Sequence, residues 1–252
     1  MPTDFPREIL DRVEHRPWPL PDAPWIMTQT WHDLLFAHWP VDAGALRSRI
    51  RASIDLDLFG GQAWLGVVPF RMTNVAPRGV PALPFVSAFT ELNVRTYVTA
   101  EGKPGVYFFS LDASNPIAVG FARALLHLPY HSATMAISEG DGWVRYESTR
   151  IGAPPATLRA RYRGLGPLFE PQPGSLEHFL TERYCLYTLD EANIMRRLDI
   201  HHRPWPLQRG EIEIEDNTMV DPTGVRLPGM APLVHFAGRQ DMTAWAPSRT
   251  GT

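Results

Sequence analysis

Glu91, Asn93, Arg95 and Tyr97 stand at every second position of the stretch Phe89 to Thr99, with Leu92, Val94, Thr96 and Val98 between them. Alternation at period two puts the first four on one face of a strand and the apolar residues on the other. A carboxyl, a carboxamide, a guanidinium and a phenol in one row suit proton transfer beside a held anion. Glu91 would be the acid or base, Arg95 would grip a carboxylate through its fork, and Asn93 and Tyr97 would complete the binding face. On an open sheet the same row is a solvated surface, whereas inside a closed one it lines a small-molecule cavity. A buried Glu beside an arginine stays ionised, while one without such a partner rises in pKa and can donate a proton.

Other reactive side chains are sparse. His131 follows Pro129-Tyr130 where a helix gives way to a strand, a junction at which scaffolds present functional groups, although a lone histidine serves structural ends as readily. Lys103 is the single lysine among 24 basic residues, and Cys185 is the single cysteine, in the apolar run Tyr184-Cys185-Leu186-Tyr187 that suits an inert thiol. GxSxG, GxGxxG, the phosphate-binding loop and HExxH are all missing, so no cofactor and no metal are expected. A net charge of -3 gives no basic track for nucleic acid. Every apolar run is broken by proline, glycine or charge before the roughly 18–20 residues of a membrane helix. One cysteine cannot form an internal disulfide and the first ten residues lack an apolar leader, which points to the cytoplasm.

The elements that must position these groups are mostly strands. Ile54, Leu56 and Leu58 alternate with acids ahead of a Gly60-Gly61 turn into Ala63 to Met72, and Gly102-Lys103-Pro104-Gly105 reads as a turn into a return strand, Val106 to Leu111. Trp143 to Arg150 and Ala156 to Arg163 follow, the second with a row of Arg159, Arg161 and Arg163. Glu211, Glu213 and Glu215 form a matching acidic row, and both rows read as solvated faces. Three helices are expected, from Asp42 to Ile50, from Ser175 with Glu177 in the first turn, and from Pro116 to Leu128 behind the cap Asn115. Ile117, Phe121, Ala124, Leu125 and Leu128 would form the inward face of that last helix. The hexapeptide His15-Arg16-Pro17-Trp18-Pro19-Leu20 recurs as His202 to Leu207 with nothing similar around it, so two Pro-Trp plugs into one body are expected rather than a duplication. The pattern is α+β, mainly β: a curved antiparallel sheet or barrel with a few outer helices.

Longer motifs carry a resemblance. Pro24-Trp25-Ile26-Met27-Thr28-Gln29-Thr30-Trp31, Asp33-Leu34-Leu35-Phe36 with His38-Trp39-Pro40-Val41, Phe89 to Val98, Phe109-Ser110-Leu111-Asp112-Ala113, Leu128-Pro129-Tyr130 and Leu180-Thr181-Glu182-Arg183-Tyr184 resemble the YqjF-like proteins, a bacterial family of unknown function. It spans residues 15–247 as one domain between tails 1–14 and 248–252. More distantly the chain resembles the acetoacetate decarboxylase-like fold, a cone-shaped barrel around a small cavity. Phe89-Thr90-Glu91 matches that family's aromatic-Thr-Glu segment, and Leu128-Pro129-Tyr130-His131 falls where its Schiff-base lysine stands. No lysine stands there in this chain, and Lys103 sits in a turn where water keeps its ammonium charged. The resemblance therefore implies the barrel and its acid without the amine, with Tyr130 and His131 in the amine's place. The expected function is an enzyme-like barrel acting on a carboxylate- or carbonyl-bearing metabolite. A non-catalytic metabolite-binding module using the same cavity, or a structural protein whose Pro-Trp arms dock a partner, are the alternatives. A small-molecule ligand is the expected partner, nucleic acid and membrane are not, and homo-oligomer formation is left open.

Overall fold

A computed structural model of the chain describes residues 7–83, 86–190, 192 and 194–250. Residues 1–6 and 251–252 of the expected tails lie outside them. The first half runs β1 (Met27–Val41), α1 (Ala43–Arg47), β2 (Asp55–Leu56), β3 (Ala63–Pro77), β4 (Phe89–Ala100), β5 (Lys103–Ala113) and α2 (Pro116–Leu126). It continues through β6 (Tyr130–Gly140), β7 (Trp143–Arg150), β8 (Thr157–Phe169), α3 (Leu176–Thr181) and β9 (Cys185–Leu189). The last strands are β10 (Met195–His202), β11 (Leu207–Asn217), β12 (Leu233–Ala244) and β13 (Ser248–Arg249).

These strands form one sheet that closes on itself twice. Five of them, β12-β1-β3-β4-β5, make a common wall. At each border of this wall the sheet forks. The free edge of β5 pairs through Val106 and Tyr107 with β9, then through Leu111 to Ala113 with β6. The free edge of β12 pairs through Phe236 and His235 with β11, then through Met242 to Ala244 with β10. Closing the fork through β9 and β10 gives a ring of seven strands, and closing it through β6, β7, β8 and β11 gives a ring of nine.

A wall between two rings is buried on both faces, which is why β4 carries no solvated side. Leu92 and Val94 pack with Tyr146, Tyr162 and Leu65 into a dense apolar core inside the nine-strand ring. Glu91, Asn93 and Arg95, pointing the other way, enter the seven-strand ring. Gly66 is glycine for a steric reason, because a Cβ there would stand 2.9 Å from the buried His38 ring.

Two local expectations change. The turn between β4 and β5 is Glu101-Gly102, with φ of 51° and 70°, and Lys103 already belongs to β5, because a two-residue turn matches the strand twist. The inward face of α2 is Val119, Ala122 and Leu126, while Ile117, Phe121, Ala124 and Leu125 face out. Asn115 does cap it, its Oδ1 accepting from Ile117 and Ala118 N–H at 3.0 and 3.2 Å. The arginine and acidic rows of β8 and β11 are exposed as expected and meet across the strands, Arg161 with Glu213 at 2.8 Å and Arg163 with Glu211 at 2.6 Å.

Both hexapeptides dock at one place. His15 Nε2 lies 2.8 Å from the His202 carbonyl, Arg16 donates to the Ile200 carbonyl at 2.7 Å, and Trp18 Nε1 donates to Asp199 at 3.2 Å, so the first copy straps along β10. The second copy leaves the end of β10 and buries Trp205 between Trp31 and Phe36. Ahead of the strap, Ile9 is buried and its carbonyl meets His201 Nε2 at 2.7 Å. No helix of the described residues is long and apolar enough to cross a membrane.

Candidate functional site

Inside the seven-strand ring lies a cavity of about 100 Å³. Every strand of the ring contributes to its lining, which is mostly apolar, with Val68, Phe70, Leu111 and Met242 among the contributors. Four of the six residues expected from sequence, Glu91, Asn93, Arg95 and Tyr130, line it together.

Glu91 is 4% exposed. Tyr130, brought in by the chain leaving α2, donates its hydroxyl to Glu91 Oε2 at 2.6 Å. Tyr146, reaching the wall from β7 on its other face, donates to the Glu91 main-chain carbonyl at 2.7 Å and so fixes its backbone. No arginine pairs with the Glu91 carboxyl within salt-bridge distance among the described residues. Burial pushes its pKa up to about 8, with Asp112 adding to the rise and the Tyr130 hydrogen bond opposing it. Glu91 is therefore a carboxylic acid at neutral pH. Because Tyr130 occupies Oε2 as a donor, Oε1 is the oxygen left to carry the proton.

Arg95 is the counterpart four residues along. Its guanidinium carbon lies 5.1 Å from the Phe36 ring centre and 5.9 Å from that of Tyr97, and Nη2 reaches the Leu180 carbonyl at 3.4 Å. Among the described residues it meets rings and a carbonyl, not a carboxylate, and its buried Nε has no hydrogen-bond partner. Between the two, the carboxamide oxygen of Asn93 is also buried and without a partner among the described residues. Of the other polar lining groups, the buried Trp205 Nε1 also has no hydrogen-bond partner among the described residues, while the rest are committed. Arg183, which the sequence reading did not single out although it falls in the quoted segment Leu180 to Tyr184, pairs with Asp57 at 2.7 Å. Thr181 donates to the Glu177 carbonyl, and His202, whose pKa burial lowers to about 4, lies between the carbonyls of Arg203 and Arg183.

Two expected residues stand elsewhere. Tyr97 is not part of the lining; its hydroxyl donates to the Leu180 carbonyl at 2.8 Å and sits 2.6 Å from His38 Nε2, so it braces the wall behind Arg95. His131 is next to Tyr130 on β6, and neighbours on a strand point to opposite faces, so it is turned away from the cavity. Partial burial, with Arg150 and Arg123 nearby, lowers its pKa to about 4. The ammonium of Lys103 lies 5.5 Å from the Trp18 ring centre, outside the lining. Cys185 does line the cavity, but burial pushes its thiol up to about 12, too high for a nucleophile at neutral pH.

Comparison with known proteins fits this picture. Residues 28–241 match DUF2071, a family described as an uncharacterized conserved protein. The uncharacterized protein YqjF of Bacillus subtilis (strain 168) is 46% identical over 237 residues, 94% of this chain and 98% of that one. Among solved structures, acetoacetate decarboxylase from Legionella pneumophila superposes with a TM-score of 0.60 at 14% identity, covering 100% of this chain and 98% of its own. The enduracididine biosynthesis enzyme MppR, complexed with pyruvate, gives a TM-score of 0.60 at 11% identity, covering 94% and 93%. At such identities the likeness is one of fold, the acetoacetate decarboxylase-like barrel.

Proposed function

The chain belongs to the DUF2071 family of uncharacterized conserved proteins, and from that premise we propose that it is an enzyme-like barrel acting on a small carboxylate- or carbonyl-bearing metabolite by acid–base chemistry at Glu91. One observation carries the reading: a buried carboxyl that meets no arginine and an arginine that meets no carboxylate, among the described residues, line the same cavity. The acid can give a proton from Oε1 to a ligand oxygen, and Arg95 can balance an anionic group that would otherwise be costly to bury. At about 100 Å³ the cavity is small against the roughly 300–1,000 Å³ of sites for drug-sized ligands, which limits the ligand to a few heavy atoms.

Schiff-base chemistry has no support. It needs a desolvated primary amine, and the one lysine lies away from the cavity. Tyr130 takes a narrower part than the sequence reading gave it, holding Glu91 Oε2 while the acid acts.

The test is a screen of short oxo, hydroxy and unsaturated carboxylic acids, with products followed by NMR. Replacing Glu91 by Gln keeps the shape of the side chain and the Tyr130 contact, and is expected to lower turnover by about 10²- to 10⁴-fold with the melting temperature at pH 7 retained. Undiminished turnover would remove Glu91 from the chemistry. Ligand-dependent stabilisation without any product would assign the cavity to binding alone.

A further inference from the structure

Three buried polar atoms on residues that line the cavity have no hydrogen-bond partner among the described residues: Arg95 Nε, Trp205 Nε1 and the carboxamide oxygen of Asn93. Two are N–H donors and one is an acceptor. Leaving such groups unmet in a buried wall is costly, so the set outlines the molecule that completes it. Trp205 is the most telling. Its ring is held on three sides, stacked on Trp31 with centres 5.7 Å apart, edge-on to Phe36 at 4.9 Å and tilted against His202 at 5.2 Å. Its main-chain N–H donates to Glu182 Oε1 at 2.8 Å. A buried indole so fixed ordinarily has an acceptor for its N–H, and of its surroundings the cavity is the part that can admit one.

The groups are neighbours. The Arg95 guanidinium carbon stands 5.1 Å from the centre of the same Phe36 ring, so guanidinium and indole flank one side chain. Asn93 is the next residue on that face of β4, and Glu91 the one beyond. Tyr130, which donates to Glu91 Oε2, is level with Asn93 across β5 through the pairs Asn93–Leu111 and Leu111–Tyr130. The Glu91 carboxyl is thus held toward Asn93.

We infer that the ligand is a hydroxy acid of two or three carbons, its carboxylate taken by Arg95 and Trp205 and its hydroxyl donated to the Asn93 oxygen. A carboxylate only accepts and offers two oxygens, which suits two donors from separate residues. The hydroxyl gives its hydrogen to Asn93 and keeps lone pairs for a proton on Glu91 Oε1. A keto oxygen has no hydrogen to give and leaves Asn93 unmet. Size sets the carbon count: an apolar cavity of about 150 Å³ holds benzene, so one of about 100 Å³ takes roughly four to six heavy atoms. This inference rests on the reading of Glu91 and Arg95 as one site, and it narrows the ligand of that site to a hydroxy acid.

The experiment is isothermal titration of the full-length protein with glycolate, both enantiomers of lactate, pyruvate, acetate, propionate and alanine. The better lactate enantiomer is expected to bind about tenfold or more tightly than pyruvate and propionate, and glycolate likewise than acetate. Asn93→Leu is expected to bring lactate down to the level of pyruvate. Trp205→Phe, which keeps the stacking, is expected to weaken lactate, pyruvate and propionate alike by about fivefold or more, and Arg95→Gln by about tenfold or more. Pyruvate or propionate bound as tightly as lactate, alanine bound more tightly, a lactate preference that survives Asn93→Leu, or affinity unchanged in Trp205→Phe would overturn the inference; dependence on Arg95 would still leave the proposed site standing. Binding of none of the acids, or binding indifferent to Arg95, would overturn both. The ligand series on the unmodified protein carries the test if a variant fails to fold.

Discussion

At the scale of single residues, Glu91 should leave a mark on stability as well as on chemistry. Its pKa is about 8 in the folded protein against the ordinary 4.5, burial being the main cause. Below pH 4.5 both states hold the proton and its contribution is fully present. Between 4.5 and about 8 the unfolded chain releases the proton while the folded one keeps it, so stability falls as pH rises and levels off above 8. The loss is of the order of 3–5 kcal/mol. Urea unfolding at pH 5 and pH 9 should show wild type losing that much more than Glu91→Gln across the interval, and equal slopes would mean that Glu91 is ionised in its wall. Most of this site was legible, because the period-two row on β4 announced Glu91, Asn93 and Arg95 together. The expectation for His131 runs against the same alternation: Tyr130 and His131 are adjacent on a strand, so at most one of them can face the cavity. Arg183 carried no signal beyond its place in the family-like segment Leu180 to Tyr184, since its partner Asp57 is distant in sequence.

At the scale of elements, α2 shows where pattern reading runs out. Its residues are apolar almost all round, so the 3.6-residue period offers two faces of similar quality and cannot choose between them. The fold selects the face with the smaller and better-fitting residues, Val119 and Ala122 with Leu126, against Leu111 and Leu128. Phe121 and Ile117 are left 49% and 65% exposed. Phe121→Ser should therefore change unfolding free energy by no more than about 0.5 kcal/mol, whereas Leu126→Ala should cost about 2–5 kcal/mol. The reverse order in denaturant melts would restore the face first expected. Turns were easier to read than pairings: Gly60-Gly61, with φ of 57° and 81°, turns the chain at the Phe59–Gln62 bridge, but the hairpin expected there does not form, since β2 pairs with β4 rather than with β3. The strands β9, β10 and β12 left weaker traces, since strands buried on both faces lose the alternation that identifies them.

At the scale of the whole molecule, the two rings could not be read from the chain at all, because ring closure is decided by pairings between distant strands, such as β5 with β9 and β12 with β10. Hydrogen exchange offers a test. Amides of β1, β3 and β4 should be the slowest in the protein, those of β7 and β11 faster, and the two-residue edge strands β2 and β13 faster still. Uniform protection across the sheet would argue against a common wall. The forks at β5 and β12 have a further effect on how the cavity behaves. Since the same five strands bound both rings, the ring around the cavity cannot widen without prising apart its neighbour, whose interior is a continuous apolar core of the kind that packs closely. The apolar ring thus acts as a buttress for its hollow neighbour. A cavity held open in this way has little ordering left to do when a guest arrives, so its selectivity should be that of a rigid gauge, strict about shape and indifferent to persuasion.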